Sequence, residues 1–463
     1  MSAKDKPSLG VPLRVQSVIK GQSLVAAGSF APGHLGELTQ IVPFEMVDAV
    51  LESTAAVQVR VRDLPSRVVV YLLLAGALFA GAGYRQVWAR LVAGLEGISV
   101  ADPGSSALTQ ARRRVGGAPL RALFDLVKGP AVGDVRWRGL LVCAIDGTSM
   151  FAPDSPANLA GYGRQAGTHG GSGYPMLRLL TVVACGTRTV IDAVFGTMKI
   201  GETSYAPTLF GCLTPGMLLL GDRMFAVTAL IEQITTTGAD LLIRCKNGRA
   251  LPAIRHCGDG SWLARIGAVT VRVIDADIVV TCTDGPRRVE RYRLVTTLTD
   301  HHRYPATELV ELYHQRWEIE TSYLELKSTI LGGRVLRART PAGVTQEVYA
   351  LLITYQALRT AIADAVGNEP DTPTDRASFT IALNTARDQV IHAANVITNT
   401  TIDLIGKIGH AVPNNPLPTR RHRTSPRVVK RAISKHRAKG NIDRNTYKTS
   451  INVHIRPGLT NDP

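Results

Sequence analysis

The chain is short of the features that would make it a secreted, redox or nucleotide-binding protein. Its six cysteines, Cys143, Cys185, Cys212, Cys245, Cys257 and Cys282, are scattered. None forms the C-x2-C pair of a structural zinc or dithiol site, so they read as reduced thiols. The opening MSAKDKPSLG has no apolar core of the kind a signal peptide needs, and a cytoplasmic, nucleoid-associated location is expected. The glycine-rich stretch GYGRQAGTHGGSG at 161–173 lacks G-x4-G-K-[ST] and lacks GxGxxG after a strand, which excludes a nucleotide loop and leaves a flexible loop beside DNA as the expectation. His301 and His302 have no second ligand pair at metal spacing. No internal repeat is found. Uncharged runs are equally few. One of them, VVVYLLLAGALFAGAGY from Val68 to Tyr84, reaches the lower edge of a membrane span. Its glycines and alanines, and the absence of any comparable segment later, favour a buried helix and no membrane association.

Acidic residues are also in deficit. With 37 Asp and Glu against 53 Lys and Arg the formal charge is +16, a bias suited to a polyanion such as nucleic acid. At 463 residues, 45% of them hydrophobic, the chain can bury sizeable cores and should divide into several compact units.

Residues 1–135 read as helices joined by polar turns, with stretches at Pro43–Leu51 and Val68–Leu95. Two short helices follow around Gly116-Gly117, and the first carries Arg112, Arg113 and Arg114. This resembles a helix-turn-helix, although any helical hairpin looks alike; the three arginines are candidate DNA contacts. From Trp137 buried strands are expected at Leu140–Ile145, Leu177–Ala184, Thr189–Phe195, Met217–Leu220 and Asp240–Arg244, with a helix after Met224. That order predicts an α/β sheet with an antiparallel part over 136–345. Residues 250–300, with β-branched alternation such as AVTVRVIDADIVVTCT, read as an inserted β subdomain. Long helices are expected over Ala306–Ile330 and Ala342–Val366, the second opening a helical C-terminal region over 346–418. The stretch Glu369–Arg376 reads as linker. A tail over 419–463, with ten arginines and lysines from Arg420 to Arg444, reads as a solvated arm that would add sequence-independent affinity for DNA.

Breaking a phosphodiester calls for stabilisation of charge on both the attacking and the leaving oxygen, which two magnesium ions roughly 4 Å apart can supply. Such ions want carboxylates. Asp146 ends the apolar run LLVCAI, and Asp222 follows MLLLG; an acid at a strand's end lies at the rim of the sheet, where α/β sites are found. Strand-end aspartates also simply cap the next turn. In YHQRWEIETSYLELK, the residues Tyr313, Arg316, Glu320 and Lys327 have the spacing Y-x2-R-x3-E-x6-K. On one helix these steps fall along a single stripe, so Glu320 can face a metal while Arg316 and Lys327 face phosphates. Ordinary pairing of Arg316 with Glu320 is the competing reading. Glu318 and Glu325 fall off the stripe and read as solvated faces.

IDGTS, LLLGDRMF and the helix bearing Tyr313, Arg316, Glu320 and Lys327 together resemble the bacterial insertion-sequence transposases of the DDE class with the YREK signature. The resemblance extends over roughly residues 137–345 and implies an RNase H-like core with a β insertion between the second Asp and the Glu. It makes Asp146, Asp222 and Glu320 the ligands of two Mg2+ ions, which Mn2+ could replace. Tyr313, Arg316 and Lys327 would then hold the DNA strand near the cut. The helical segment before the core would bind the element's terminal repeats. Double-stranded DNA, as transposon ends and as target, is the implied partner. Pairing two ends implies a homodimer on DNA. Some members hold a flipped base on an aromatic of the insertion; Trp262 is the only tryptophan there, and a core position is its alternative. A domesticated DNA-binding protein of the same fold is the alternative function, against which the intact acids argue.

Overall fold

The computed structural model describes residues 34–58, 60, 62–95, 99–131, 136–165, 171–282, 287–367, 376–392, 406–417 and 449–457. The expected linker up to Asp375, the basic stretch 418–448 and residues 166–170 of the glycine-rich loop lie outside these.

Among the described residues a 3-10 turn over Leu38–Gln40 leads into α-helices α1 (Phe44–Ser53), α2 (Ser66–Leu78), α3 (Tyr84–Val92), α4 (Ser105–Val115) and α5 (Ala118–Val127). The apolar run becomes α2, which is buried on every side from Val68 to Leu78, as expected of a helix without a polar stripe. No helix among the described residues is long and apolar enough to cross a membrane. Gly116 ends α4 at φ +69°, a conformation glycine adopts without strain, and turns the chain into α5.

The core follows as β1 (Arg136–Trp137), β2 (Leu140–Phe151), α6 (Pro156–Tyr162), β3 (Met176–Ala184), β4 (Val190–Thr197), α7 (Glu202–Tyr205), β5 (Met217–Gly221), α8 (Thr228–Thr236) and β6 (Asp240–Cys245). Sheet order over these strands is β4-β3-β2-β5-β6. The first three are antiparallel, and β5 and β6 join parallel to β2, which is the RNase H-like arrangement. Alternation along β2 sends Leu141, Cys143 and Ile145 to a core shared with α8 and Leu140, Val142 and Ala144 to a second core.

The insertion supplies β7 (Arg255–His256), β8 (Trp262–Ile266), β9 (Val269–Cys282) and β10 (Arg287–Thr296). These strands do not stand apart as a subdomain. β10 pairs antiparallel with β6, so the sheet continues as β6-β10-β9-β8-β7. The reason is that the end of β6 would otherwise be an open edge of unpaired backbone groups.

The expected helix over Ala306–Ile330 is continuous but changes its winding. It runs as α9 (Ala306–Tyr313), a 3-10 turn over His314–Arg316, α10 (Trp317–Leu324) and a π-helical stretch over Glu325–Ile330. Then come α11 (Pro341–Gly367), α12 (Phe379–Ile391), α13 (Gly406–Ala411) and β11 (Thr449–Arg456). α11 is buried along most of its length, and one hydrophobic core joins it to α1–α5, α9, α10, α12 and the second face of the sheet. β11 pairs with β9 from Thr449↔Cys282 to Arg456↔Asp275, so the chain beyond the basic stretch is tied into the sheet.

Candidate active site

Parallel pairing of β2 with β5 ends at Ile145↔Gly221, and the next residue on each strand is one of the two aspartates. β2 itself continues to Phe151 through its pairing with β3 alone. Asp146 therefore sits inside a long strand where its second neighbour stops, which opens a notch in the sheet. Asp222 makes that notch, because its Oδ1 accepts the Met224 N–H at 2.7 Å and its carbonyl the Phe225 N–H at 3.1 Å. It thus caps the turn, as the competing reading had it, and also faces Asp146.

The irregular helix crosses this notch. Tyr313 is buried, with its hydroxyl donating to the Gly221 carbonyl at 3.0 Å, and fixes the helix to the end of β5. Tyr323 does the same for β2: its hydroxyl donates to the Asp146 carbonyl and shares a 2.8 Å hydrogen bond with Thr181. Between these anchors, Arg316 Nη1 lies 3.3 Å from Asp146 Oδ2, and Nη2 lies 3.2 Å from Glu320 Oε1. One guanidinium thus spans the first aspartate and the glutamate. The i to i+4 pair exists, but it is part of a three-residue bridge inside the site. Lys327 Nζ donates to Thr148 Oγ1 at 3.0 Å, so it too points at β2.

Burial pushes the Asp146 carboxyl up to about 6, with the charges of Asp222 and Glu202 adding and the Arg316 guanidinium and Gly147 N–H opposing. Glu202, at the start of α7, lies over Gly147 so closely that a Cβ there would stand 2.5 Å from its carboxyl carbon. It is held by an ion pair to Arg178. Glycine in IDGTS is therefore a packing requirement of this carboxylate. Glu202, Arg178 and Tyr323 have no signature in the sequence, because their roles arise from pairing across β2, β3 and α10.

The site's hard oxygen donors, and the crowding of Asp222 and Glu202 against Asp146, are the chemistry that suits a divalent cation. Asp146 and Glu320 converge on Arg316, and among the described residues no group of three His, Cys, Asp or Glu stands as a ready-made metal cluster.

Other expectations fare differently. Glu318 and Glu325 are not solvated. Glu318 pairs with Arg188, and Glu325 is buried among Arg188, Arg359 and Tyr355, because the helix has neighbours on both sides. Trp262 is a core residue, 6% exposed, with its indole N–H on the Leu251 carbonyl at 2.9 Å. Arg112 stacks on Tyr84 at 3.9 Å, whereas Arg113 and Arg114 are exposed at the end of α4. Cys143, Cys185 and Cys245 are buried, Cys212 and Cys257 are partly buried, and none of these five is in a disulfide.

Comparison with known proteins bears on the family of the chain. A family profile described as insertion element 4 transposase N-terminal matches residues 32–125, and one described as transposase DDE domain matches residues 137–357. The chain is 28% identical over 408 residues to the transposase InsG for insertion sequence element IS4 of Escherichia coli (strain K12), covering 83% of this chain and 90% of the relative. Among solved structures, the cryo-EM structure of the piggyBac transposase synaptic complex with hairpin DNA aligns over 85% of this chain and 86% of that one, with 11% identity and a TM-score of 0.42.

Proposed function

This chain belongs to the DDE transposases of IS4-type insertion sequences, and we propose that Asp146, Asp222 and Glu320 are the carboxylates with which it cuts transposon ends. DDE transposases use divalent metal ions, and our reading is that this chain would take two Mg2+, with Mn2+ as a substitute. Bound metal would stabilise charge on the attacking and leaving oxygens of the phosphodiester. The observation that carries the reading is the adjacency of Asp146 and Asp222 at the end of the β2–β5 pairing, with Glu320 brought to Asp146 through Arg316.

The chain's own groups then divide the work. Asp146, Asp222 and Glu320 would hold the metal. Arg316, released from its carboxylates, and Lys327, on Thr148, are the cations that can grip the phosphates on either side of the cut. Tyr313 is too buried to reach the strand, and its part is to fix the helix on Gly221. Water is the nucleophile that exposes a 3′-hydroxyl, and that hydroxyl then attacks target DNA. Arg113 and Arg114 are exposed toward a backbone that the helical N-terminal region would hold.

The test is single-turnover cleavage of end DNA with Mg2+. Asp146→Ala, Asp222→Ala and Glu320→Ala should each abolish cleavage while end binding persists, since affinity comes mostly from phosphate contacts elsewhere. Lys327→Ala should lose cleavage or joining at an unchanged melting temperature. Near-normal rates in any of these variants would remove that residue from the site.

A further inference from the structure

We propose that the buried network of Arg188, Glu325 and Arg359 is a positioning device that sets how the helix presents Glu320 and Lys327 to the sheet. The proposal rests on the active-site reading above. Glu325 is 8% exposed, and both its oxygens are engaged. Oε1 takes Arg188 Nη1 at 2.9 Å and Arg359 Nη2, while Oε2 takes Arg359 Nε at 3.1 Å and the Tyr355 hydroxyl at 3.1 Å. Arg188 also pairs through Nε with Glu318. One guanidinium therefore grips the helix at two positions seven residues apart.

Those positions bracket the functional ones. At about 100° per residue in α10, Glu318 and Glu325 stand on one stripe of the helix and Glu320 lies about 200° round on the opposite side, while Lys327, two residues into the π-helical stretch, reaches Thr148 on β2. The network holds the back of the helix, and the site is on its front. Arg188 comes from the turn between β3 and β4, where the Cys185 thiol also meets the Gln315 carbonyl at 3.6 Å. Arg359 and Tyr355 come from α11. The helix is thus clamped between the sheet and the central helix of the fold, and its winding becomes π-helical at Glu325.

Stability alone does not account for this arrangement. Buried ion pairs lose much of their attraction to desolvation, and apolar replacements of similar size are often neutral or stabilising. Arg188 also has φ +60°, a left-handed conformation that side chains other than glycine rarely adopt, and its Nη2 is buried without a partner. What the network supplies that apolar packing could not is a fixed direction, since charge-assisted hydrogen bonds specify rotation and pitch.

The test separates positioning from stability with the double variant Glu325→Leu/Arg359→Met, which removes one charge of each sign and leaves Arg188 paired with Glu318. It should melt near the parent temperature and bind end DNA with parent affinity. Its single-turnover cleavage should fall on the order of 100-fold, the scale of an ångström-sized misplacement. Mn2+ binding without DNA should weaken several-fold. Parent-like cleavage and Mn2+ binding in the folded double variant would overturn the proposal. Should the double variant fail to fold, Arg359→Lys keeps the charge but loses the two-point grip, and full activity there would overturn it equally. Failure of the wild-type protein to cut end DNA would instead sink the active-site reading, so the two failures are distinguishable.

Discussion

Burial holds Asp146 in its protonated form at a pH where an ordinary aspartate is already charged. Its carboxyl is pushed up to about 6 from an ordinary 3.8. Between these values the folded, metal-free protein keeps a proton that the unfolded chain has released. Stability linked to this group is therefore present below about pH 4 and is lost as pH rises through 6. Asp146→Asn should remove that loss, flattening the stability curve between pH 4 and 7 by on the order of 1 to 3 kcal/mol. Urea denaturation of both proteins without metal, at intervals across this range, measures it. Equal slopes for the two would show that Asp146 is not perturbed. The sequence marked Asp146 by its place after LLVCAI, but its surroundings, Glu202 over Gly147 and Tyr323 beneath the carbonyl, come from residues 56 and 177 positions away.

At the scale of elements, the strands of the core were legible to within about two residues, apart from the extension of β2 past Asp146, because buried β-branched and leucine runs have few other uses. The long helix was legible as a helix but not in its winding. Periodicity can place Glu320 and Lys327 on one stripe, but it cannot see that Arg188 and Arg359 draw Glu325 inward. The clearest gain from the structure is β11, since the sequence beyond 418 read as a solvated tail. Deleting residues 419–463 would remove a strand as well as a basic stretch. A chain ending at Lys448 should lose about 1 to 3 kcal/mol, from half-buried Val453 and Ile455 and from the edge of β9 over Asp275–Cys282 being left unpaired, and should self-associate. Replacing the ten arginines and lysines from Arg420 to Arg444 by glutamine should leave stability unchanged. It should instead weaken specific and random DNA equally and flatten the salt dependence of binding. Thermal melts and binding at several salt concentrations test both halves, and an unchanged salt slope would show the basic stretch to be idle.

For the whole molecule, a net charge of +16 suits long contact with a polyanion, and joining two ends requires two active sites. We expect the particle formed with end DNA and Ca2+ in place of Mg2+ to contain two chains and two ends, as light scattering or mass photometry would measure. A single chain cutting both ends would contradict this. What the sequence by itself determined was the class of fold, the order Asp146, Asp222, β insertion, Glu320, and the apolar character of α2, because each depends on local pattern and composition. Only the tertiary structure decided that the insertion continues the central sheet, that Trp262 is core, and that Arg316 joins Asp146 to Glu320. It alone decided, too, that Glu318 is paired with Arg188 and that Glu325 is a buried ion. Those outcomes depend on which surfaces meet across hundreds of residues, and a charged side chain carries no local mark of whether its neighbour will be water or a buried arginine.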